Sequence, residues 1–176
     1  MTAEEFIAEI HAEFPRFSIR KKRTSNLQRA IGVALRVATF GGMRTYTTHY
    51  HTVLFGTLWV PDAWDAMSDV DKVILLRHER VHLRQRRAMG DTVMGFVYLV
   101  PIFPIFLAWG RARIEWEAYE ETITATAELV GLDQARALKP GIVKRFIGPD
   151  YGWMWPFPKT IERWFDEHMA RVSSMC

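Results

Sequence analysis

Apolar residues recur at helical intervals in two segments that begin with capping signals. Residues 3–14 place Phe and Ile every three to four positions among acidic residues, with Thr2 as a candidate N-cap. After Ser68, which begins an S-x-x-D variant of the capping box, the same periodicity continues until Gly90. The pattern predicts a short first helix and a long helix over residues 69–89.

The second half of the chain also has helical periodicity. A long helix is expected near 111–130, with Gly131 as a candidate C-cap, and a shorter helix over 133–138. The Pro-Gly pair at 140–141 predicts a break in the chain. After an aromatic segment that is expected to cover a hydrophobic face, a last helix starts near Lys159.

β-branched and aromatic residues dominate the region between the first two helices. Residues 31–40 predict a strand that ends at a Gly-Gly turn, and residues 45–60 predict either one long strand or two strands joined near Gly56. Together with the helices, these strands predict an α+β fold with a small sheet between residues 31 and 60.

Composition limits the kinds of site that this chain can build. Its 176 residues are 49% hydrophobic and 24% charged, which suits a single domain over 1–176 with a core at about 30–131 and a packing tail at 132–176. The one cysteine, Cys176, is the last residue, which excludes an internal disulfide and a cysteine-based metal site. Any metal site must therefore consist of histidine and carboxylate ligands.

The predicted helix 69–89 contains HERVH, an H-E-x-x-H pattern formed by His78, Glu79 and His82. Residues four apart project from one helical face about 5–6 Å apart, so both imidazoles are able to bind one ion. Glu79 lies about 100° further round the helix, within reach of water at that ion and outside the ligand set. The pattern predicts a catalytic zinc site, which needs three protein ligands and an open position.

The second long helix offers the third ligand. Its sequence RIEWEAY contains Glu115 and Glu117, and two further acids, Glu120 and Glu121, follow. With HERVH and an E-x-x-A pattern that ends at Ala118, the sequence resembles the gluzincin branch of the HExxH metallopeptidases, and the resemblance makes Glu115 the third zinc ligand. Glu117 is the competing ligand; it lies about 200° round the helix from Glu115, so both cannot face the metal.

The wider pattern is similar to small single-domain metallopeptidases of bacteria and their phages. It consists of a β-rich stretch, R-H-E-R-V-H-L-R-Q, an apolar hairpin and R-x-x-E-x-E-A-Y, and covers about residues 47–125. The likeness implies a zincin-like domain that uses Zn²⁺ to hydrolyse peptide bonds. A metzincin is excluded because Gln85 and Ala88 stand where that class has its Gly and its third His.

The resemblance also implies a role for each site residue. Zinc held by the two motif histidines and Glu115 activates a water molecule, and Glu79 takes the proton of that water and passes it to the leaving amine. Gluzincins usually add a Tyr or His that stabilises the oxyanion. The candidates are Tyr119, His168 and Tyr151.

Other residues near the motif have simpler expected roles. Gln85, one turn beyond His82, is expected to orient a neighbouring group. His49 and His51 share one face of a predicted strand, where a solvent-facing pair is expected and a second metal site is the alternative. Residues 47–58 are the candidate strand for pairing with an extended substrate.

The apolar segment 92–110 is the one stretch whose length approaches a membrane span. Pro101 and Pro104 interrupt a single helix, and the chain must return for Glu115 to meet the histidines. We therefore expect a buried or surface-associated hairpin, with peripheral contact to a membrane or an apolar partner as the alternative.

Charge and the N-terminal sequence bear on the partners and the location of the protein. The net charge is +3, and the arginines at 77–87 predict a solvated helix face, so no nucleic-acid partner is expected. Residues 1–14 have no signal-peptide pattern, which favours a cytoplasmic location or a place in a larger particle. The expected partner is a peptide or protein substrate. The alternative function is a zincin-fold metal-binding structural or interaction module of a larger assembly, such as a phage particle, with little or no turnover.

Overall fold

The structure is a computed structural model that describes residues 1–25, 33, 51–54, 56–99, 108–148 and 154–175. The chain divides into two compact units, Met1–Leu83 and Arg84–Cys176. Most described residues are helical and a small sheet lies in the first unit, so the predicted α+β combination is confirmed.

The first unit combines a helix, a small sheet and the beginning of a long helix that continues beyond the unit. Its elements are α1 (Ala3–Glu13), β1 (Ser18–Lys21), a 3₁₀ turn (Lys22–Thr24), β2 (Thr52–Leu54), β3 (Thr57–Val60), a second 3₁₀ turn (Asp62–Ala66) and α2 (Asp69–Met89).

Both helices of this unit begin at the predicted capping residues. The Thr2 hydroxyl accepts a hydrogen bond from the Glu5 backbone N–H (3.2 Å), and the Glu5 carboxylate accepts one from the Thr2 N–H (2.7 Å), which completes a capping box. The Ser68 hydroxyl oxygen likewise accepts from the Asp71 backbone N–H at 3.1 Å. Gly90 follows the last residue of α2 with a φ of 81°, a conformation that favours glycine. Local chemistry therefore fixes both ends of the helix that carries HERVH.

The sheet has the strand order β1-β3-β2, with β3 parallel to β1 and antiparallel to β2. Strands β2 and β3 lie within the predicted region 45–60 and flank Gly56, whose φ is 77°, so the alternative of two strands is confirmed. Residues 45–50 lie outside the described part of the chain, and so does the predicted strand 31–40 except for Val33, whose backbone is helical.

Strand β1 is absent from the sequence-based prediction. Its sequence SIRK contains one apolar residue, Ile19, and leads into a run of basic residues. The strand forms because β3 supplies a partner, with Ile19 opposite Leu58 and a hydrogen bond between the Ser18 and Thr57 hydroxyls at 2.9 Å. A non-local partner of this kind leaves no mark in the local sequence.

Packing in the first unit centres on apolar side chains from α1, the sheet, the second 3₁₀ turn and α2. Ile10, Leu58 and Leu76 are fully buried, each with 0% exposure. The cluster consists of Phe6, Ile10, Phe17, Leu58, Val60, Trp64, Val73, Leu76 and Leu83. One face of α2 is thereby held in the core of this unit.

After the end of α2, the described residues of the second unit form helices. These are α3 (Asp91–Leu99), α4 (Trp109–Leu129), α5 (Leu132–Ala137), α6 (Lys139–Ile147) and α7 (Pro158–Met175). The predicted long helix, short helix and last helix are confirmed within two residues of their expected starts. The predicted break at 140–141 is wrong: Pro140 lies in the first turn of α6, where its missing N–H removes no helical hydrogen bond, and the break falls at Leu138.

The core of the second unit is rich in aromatic residues. The Trp116 and Trp164 rings lie 5.5 Å apart, and Trp116 also contacts Phe146. The buried cluster consists of Ala108, Ala112, Trp116, Tyr119, Ile123, Ala127, Ala135, Ile142, Phe146, Met154, Ile161, Trp164, Phe165, Met169 and Val172. Of the tail aromatics, Phe157 is 41% exposed, and Trp153 lies outside the described residues.

The apolar segment 92–110 is only partly described. Its first part belongs to α3 and its last part begins α4, where Gly110 comes so close to α3 that a Cβ would stand 3.1 Å from Val97 Cγ1. Residues 100–107 lie outside the described part. Within the helices that the structure describes, none combines the length and the apolar character that a membrane crossing needs.

Candidate metal centre

Helix α2 brings the two motif histidines together. His78 and His82 stand one turn apart, and their Nε2 atoms are 3.3 Å from each other. The ring centroids are 5.0 Å apart and the ring planes meet at 77°. His82 is 7% exposed and His78 is half-buried. Two imidazole nitrogens thus converge on the same point in a largely buried place.

Glu115 of α4 completes a set of three candidate ligands. The ligand atoms of His78, His82 and Glu115 all lie within 4.8 Å of one another, so this group could hold a metal ion. The Glu115 side chain is 3% exposed. These are the three residues that the sequence predicts as ligands.

The structure gives the two competing carboxylates of α4 different surroundings. Glu115 is buried and belongs to the group described above, whereas Glu117 is exposed. The Glu117 carboxylate accepts a hydrogen bond from the Gln85 side-chain amide at 2.8 Å. Of the two acids, Glu115 is therefore the one that the fold offers to a metal.

Gln85 ties the last turns of α2 to α4. Its amide nitrogen donates to the Ile114 carbonyl oxygen (3.0 Å) as well as to Glu117 Oε2, and its side chain is 9% exposed. The Ile114 carbonyl belongs to the peptide that leads into Glu115. Gln85 therefore holds the backbone next to this candidate ligand, in agreement with the orienting role expected for it.

Glu79 is 6% exposed, and its negative charge acts on a buried cation that the sequence pattern does not predict. Lys22, in the 3₁₀ turn after β1, is 1% exposed. Burial lowers the pKa of Lys22 and the negative charge of Glu79 raises it, with a result of about 7. No local signal marks Lys22, because lysine is normally exposed and this one follows two other basic residues.

The Arg80 side chain is less exposed than its sequence position predicts, since the arginines of this helix are expected on a solvated face. Its side chain is 22% exposed; its Nε donates to Glu13 at 2.7 Å and its Nη1 lies 3.4 Å from Glu9. The guanidinium also covers the Phe6 ring at 5.4 Å. Arg80, a residue of the HERVH motif, therefore joins α1 to α2. The amphipathic pattern of α1 alone does not predict this contact.

Tyr119, a predicted oxyanion donor, belongs to the core of the second unit. It is 3% exposed, and its ring packs against Phe146 with centroids 5.5 Å apart. Its hydroxyl oxygen accepts a hydrogen bond from Arg145 at 3.0 Å. The oxyanion role of Tyr119 stays a prediction, and Tyr151 lies outside the described residues.

His168, the other described candidate donor, is part of a polar network between α4 and α7. Its Nδ1 lies 3.1 Å from Arg171 Nη2 and 3.4 Å from the Glu120 carboxylate, and its Nε2 lies 3.0 Å from the Thr124 hydroxyl oxygen. The Thr124 hydroxyl in turn donates to the Glu120 carbonyl oxygen. This network uses both ring nitrogens, and a catalytic role for His168 stays a prediction.

The histidines of the predicted strand are described in part. His51 makes an edge contact with Trp64, with ring centroids 6.0 Å apart. His49 lies outside the described residues, so the expected pair is not tested.

The chain was also compared with known proteins. No family model, no curated protein and no solved structure matches it. The interpretation of the site therefore depends on the residues of this chain and their geometry.

The role of Gln85 predicts a loss of metal affinity in Gln85→Ala. Because the substitution removes both hydrogen bonds that hold α4 beside Glu115, the Kd for Zn²⁺ should rise about tenfold, as is typical when a group that orients a ligand is lost. Competition with a chelating indicator measures this. Gln134→Ala, at an exposed position of α5, serves as the control and should bind like the wild type. Equal affinities for both variants would contradict the assignment.

The network around His168 predicts an acid-dependent stability. Burial alone raises the pKa of Glu120, but the hydrogen bond and charge of His168, with Trp116 and Arg171, lower it below its ordinary value of 4.5. Ionised Glu120 therefore stabilises the fold above pH 4.5, and this contribution disappears as the pH falls through the lowered value.

Glu120→Gln should accordingly be less stable than the wild type by about 1 kcal/mol at pH 7, and the difference should shrink in acid. Urea unfolding at pH 7 and at pH 3 measures both quantities. Glu167→Gln, which removes an exposed carboxylate 3.8 Å from Arg163, is the control and should change stability by less than about 0.5 kcal/mol. A difference for Glu120→Gln that is the same at both pH values would refute the assignment.

Proposed function

We propose that this chain is a zinc-dependent peptidase of the gluzincin type, in which His78, His82 and Glu115 bind Zn²⁺ and Glu79 is the general base. One observation carries the proposal: the two histidines of an H-E-x-x-H helix and a buried glutamate from a later helix have their ligand atoms within 4.8 Å of one another. Such a set is what a catalytic zinc site requires from the protein, with a further position left for water.

The donor set agrees with zinc in a simple geometrical test. Two nitrogens that each lie about 2.0–2.1 Å from a tetrahedral zinc ion are about 3.3 Å apart. The Nε2 atoms of His78 and His82 are 3.3 Å apart. Two imidazoles and one carboxylate also form the His₂Glu set by which zinc peptidases hold their ion. The residues present therefore fit this metal.

The residues of the chain have distinct tasks in peptide hydrolysis. When bound here, Zn²⁺ supplies a Lewis acid that polarises the scissile carbonyl and makes water a better nucleophile. Glu79 accepts a proton from the attacking water and delivers it to the leaving amine, so its carboxylate is ionised again at the end of the cycle. Its 6% exposure limits the access of bulk water to that proton.

The first part of the test concerns the metal. After loading and dialysis, elemental analysis should find one Zn²⁺ per wild-type chain. Glu115→Gln should lose most of this zinc because a neutral amide is a poor replacement for a carboxylate ligand. Glu117→Gln, two residues away on the exposed face of α4, is the matched control and should retain it. A wild type without zinc would overturn the proposal.

The second part of the test concerns turnover. The wild type should cleave a diverse pool of peptides, and Glu79→Gln should keep its zinc while its cleavage rate falls by a factor of about 10²–10⁴, the usual contribution of a general acid–base group. Mass spectrometry of the products measures both rates. If the two proteins bind zinc and yield identical product profiles, the site is a structural metal site, such as that of a module in a larger assembly, and the peptidase is excluded.

A further inference from the structure

Exposed aromatic side chains lie close together on the second unit. Trp109, the first residue of α4, is 45% exposed, and Phe157, which directly precedes α7, is 41% exposed. Trp155 connects them, since its ring centroid lies 4.9 Å from that of Trp109 and 5.1 Å from that of Phe157. These three side chains form one continuous surface, which we call the aromatic patch.

The core of the second unit supports the aromatic patch. The Trp109 ring centroid lies 5.3 Å from that of Trp164, a buried member of this core. Trp155 packs against the same core, and its backbone N–H donates to the Phe146 carbonyl oxygen at 2.9 Å. Prolines on both sides of Phe157 fix their own φ angles and limit rotation of the backbone there. The exposed rings are therefore held in position before any partner binds, which lowers the entropy cost of binding.

The charged residues in the segments that carry the patch are all cations. Residues 108–114 and 154–161 contain no acidic residue. Their charged residues are Arg111, Arg113 and Lys159. Arg113 follows Trp109 by one helical turn, so both lie on the same face of α4. Lys159 is exposed in the first turn of α7. The patch thus combines exposed apolar rings with positive charge.

An anionic lipid surface matches both features of the patch. Tryptophan is enriched at the interface between membrane and water, because its ring is apolar and its N–H is polar. Lysine and arginine beside such rings are attracted to anionic head groups, and acidic side chains would oppose this attraction. A neutral apolar partner would cover the rings but would give the neighbouring cations no role.

We propose that the aromatic patch binds the surface of an anionic membrane, with Trp109 and Phe157 at the level of the head groups and Lys159 beside the lipid phosphates. The binding is peripheral and reversible, because it uses a few partly exposed rings and a few cations. The inference does not depend on the proposed peptidase, since no residue of the patch belongs to the candidate metal centre.

Flotation with vesicles tests the lipid and its charge. The full chain should float with vesicles made of equal parts of phosphatidylserine and phosphatidylcholine, and should stay in the soluble fraction with phosphatidylcholine alone. High salt should weaken the binding because it screens the attraction between the cations and the head groups. Absence of flotation with the anionic vesicles would overturn the proposal, and so would equal flotation with both kinds of vesicle.

A substitution in the patch tests the role of the rings. Phe157→Ser should lower the partition coefficient onto anionic vesicles about tenfold, because an exposed ring no longer leaves water. Leu129→Ser is the matched control: Leu129 is 40% exposed and lies at the other end of α4, about 30 Å from Trp109 along the helix. The control should bind like the wild type. Equal binding of Phe157→Ser and the wild type would contradict the proposal.

A second substitution tests the role of the cations. Lys159→Gln should lower the partition coefficient about fivefold, since it removes a positive charge close to the head groups. Arg136→Gln removes a cation of α5, beyond the other end of α4, and should have little effect although it changes the net charge equally. Equal losses in the two variants would overturn the proposal. Because Lys159 is exposed, this test decides the question even if Phe157→Ser fails to fold.

The oligomeric state distinguishes a lipid partner from a second copy of the chain. Size-exclusion chromatography with light scattering measures it for the wild type and for Phe157→Ser. The two proteins should have the same mass if the patch binds lipid. A wild-type dimer that Phe157→Ser converts to a monomer, together with absence of flotation, would show that the patch binds another copy of this protein and would overturn the proposal.

Discussion

Helix α2 is buried on two opposite sides, and the helical period of about 100° per residue decides which residue lies on which side. Val73, Leu76 and Leu83 lie between about 140° and 220° from His78 on the helical wheel, and all three belong to the apolar core of the first unit. His82 and Gln85 lie within about 40° of His78. One side of the helix is therefore apolar and the other carries the candidate ligands. Because the apolar side fixes the rotation of α2 about its axis, it also fixes where the two imidazoles converge.

Polar contacts then adjust individual parts of this helix. Arg80 lies about 200° from His78, on the same side of α2 as the apolar residues. There it forms an ion pair with α1 and contacts the Phe6 ring. Gln85, on the ligand side, holds the peptide that leads into Glu115. The Arg80–Glu13 ion pair is short and partly buried, so salt screens it less than it screens exposed ion pairs. The contacts of Arg80 and Gln85 restrain helix α2, whose position depends mainly on the burial of its apolar side.

Sequence reasoning succeeds where a signal is local. The caps at Thr2 and Ser68, the start of α7 and the spacing of HERVH depend on residues a few positions apart, and the structure contains all of them. The prediction fails where the cause is distant in sequence: β1 depends on its pairing with β3, and the burial of Lys22 depends on a turn held by acids about 40 residues later. The error at 140–141 has a local cause, since Pro is compatible with the first turn of a helix as well as with a break.

The polar side of α2 is difficult to explain as a contribution to stability. Buried histidine, glutamate and lysine side chains lose hydration, and replacement of buried ionic groups by well-packed apolar residues is often neutral or stabilising. Each unit already has a cluster of apolar side chains with little exposure, which is the ordinary source of folding free energy. A chain under selection for stability alone would gain little from His82, Glu79, Lys22 and Glu115 in buried places. The proposed function accounts for His82, Glu115 and Glu79, because a metal binds to nitrogen and oxygen ligands and a general base is a carboxylate at the site.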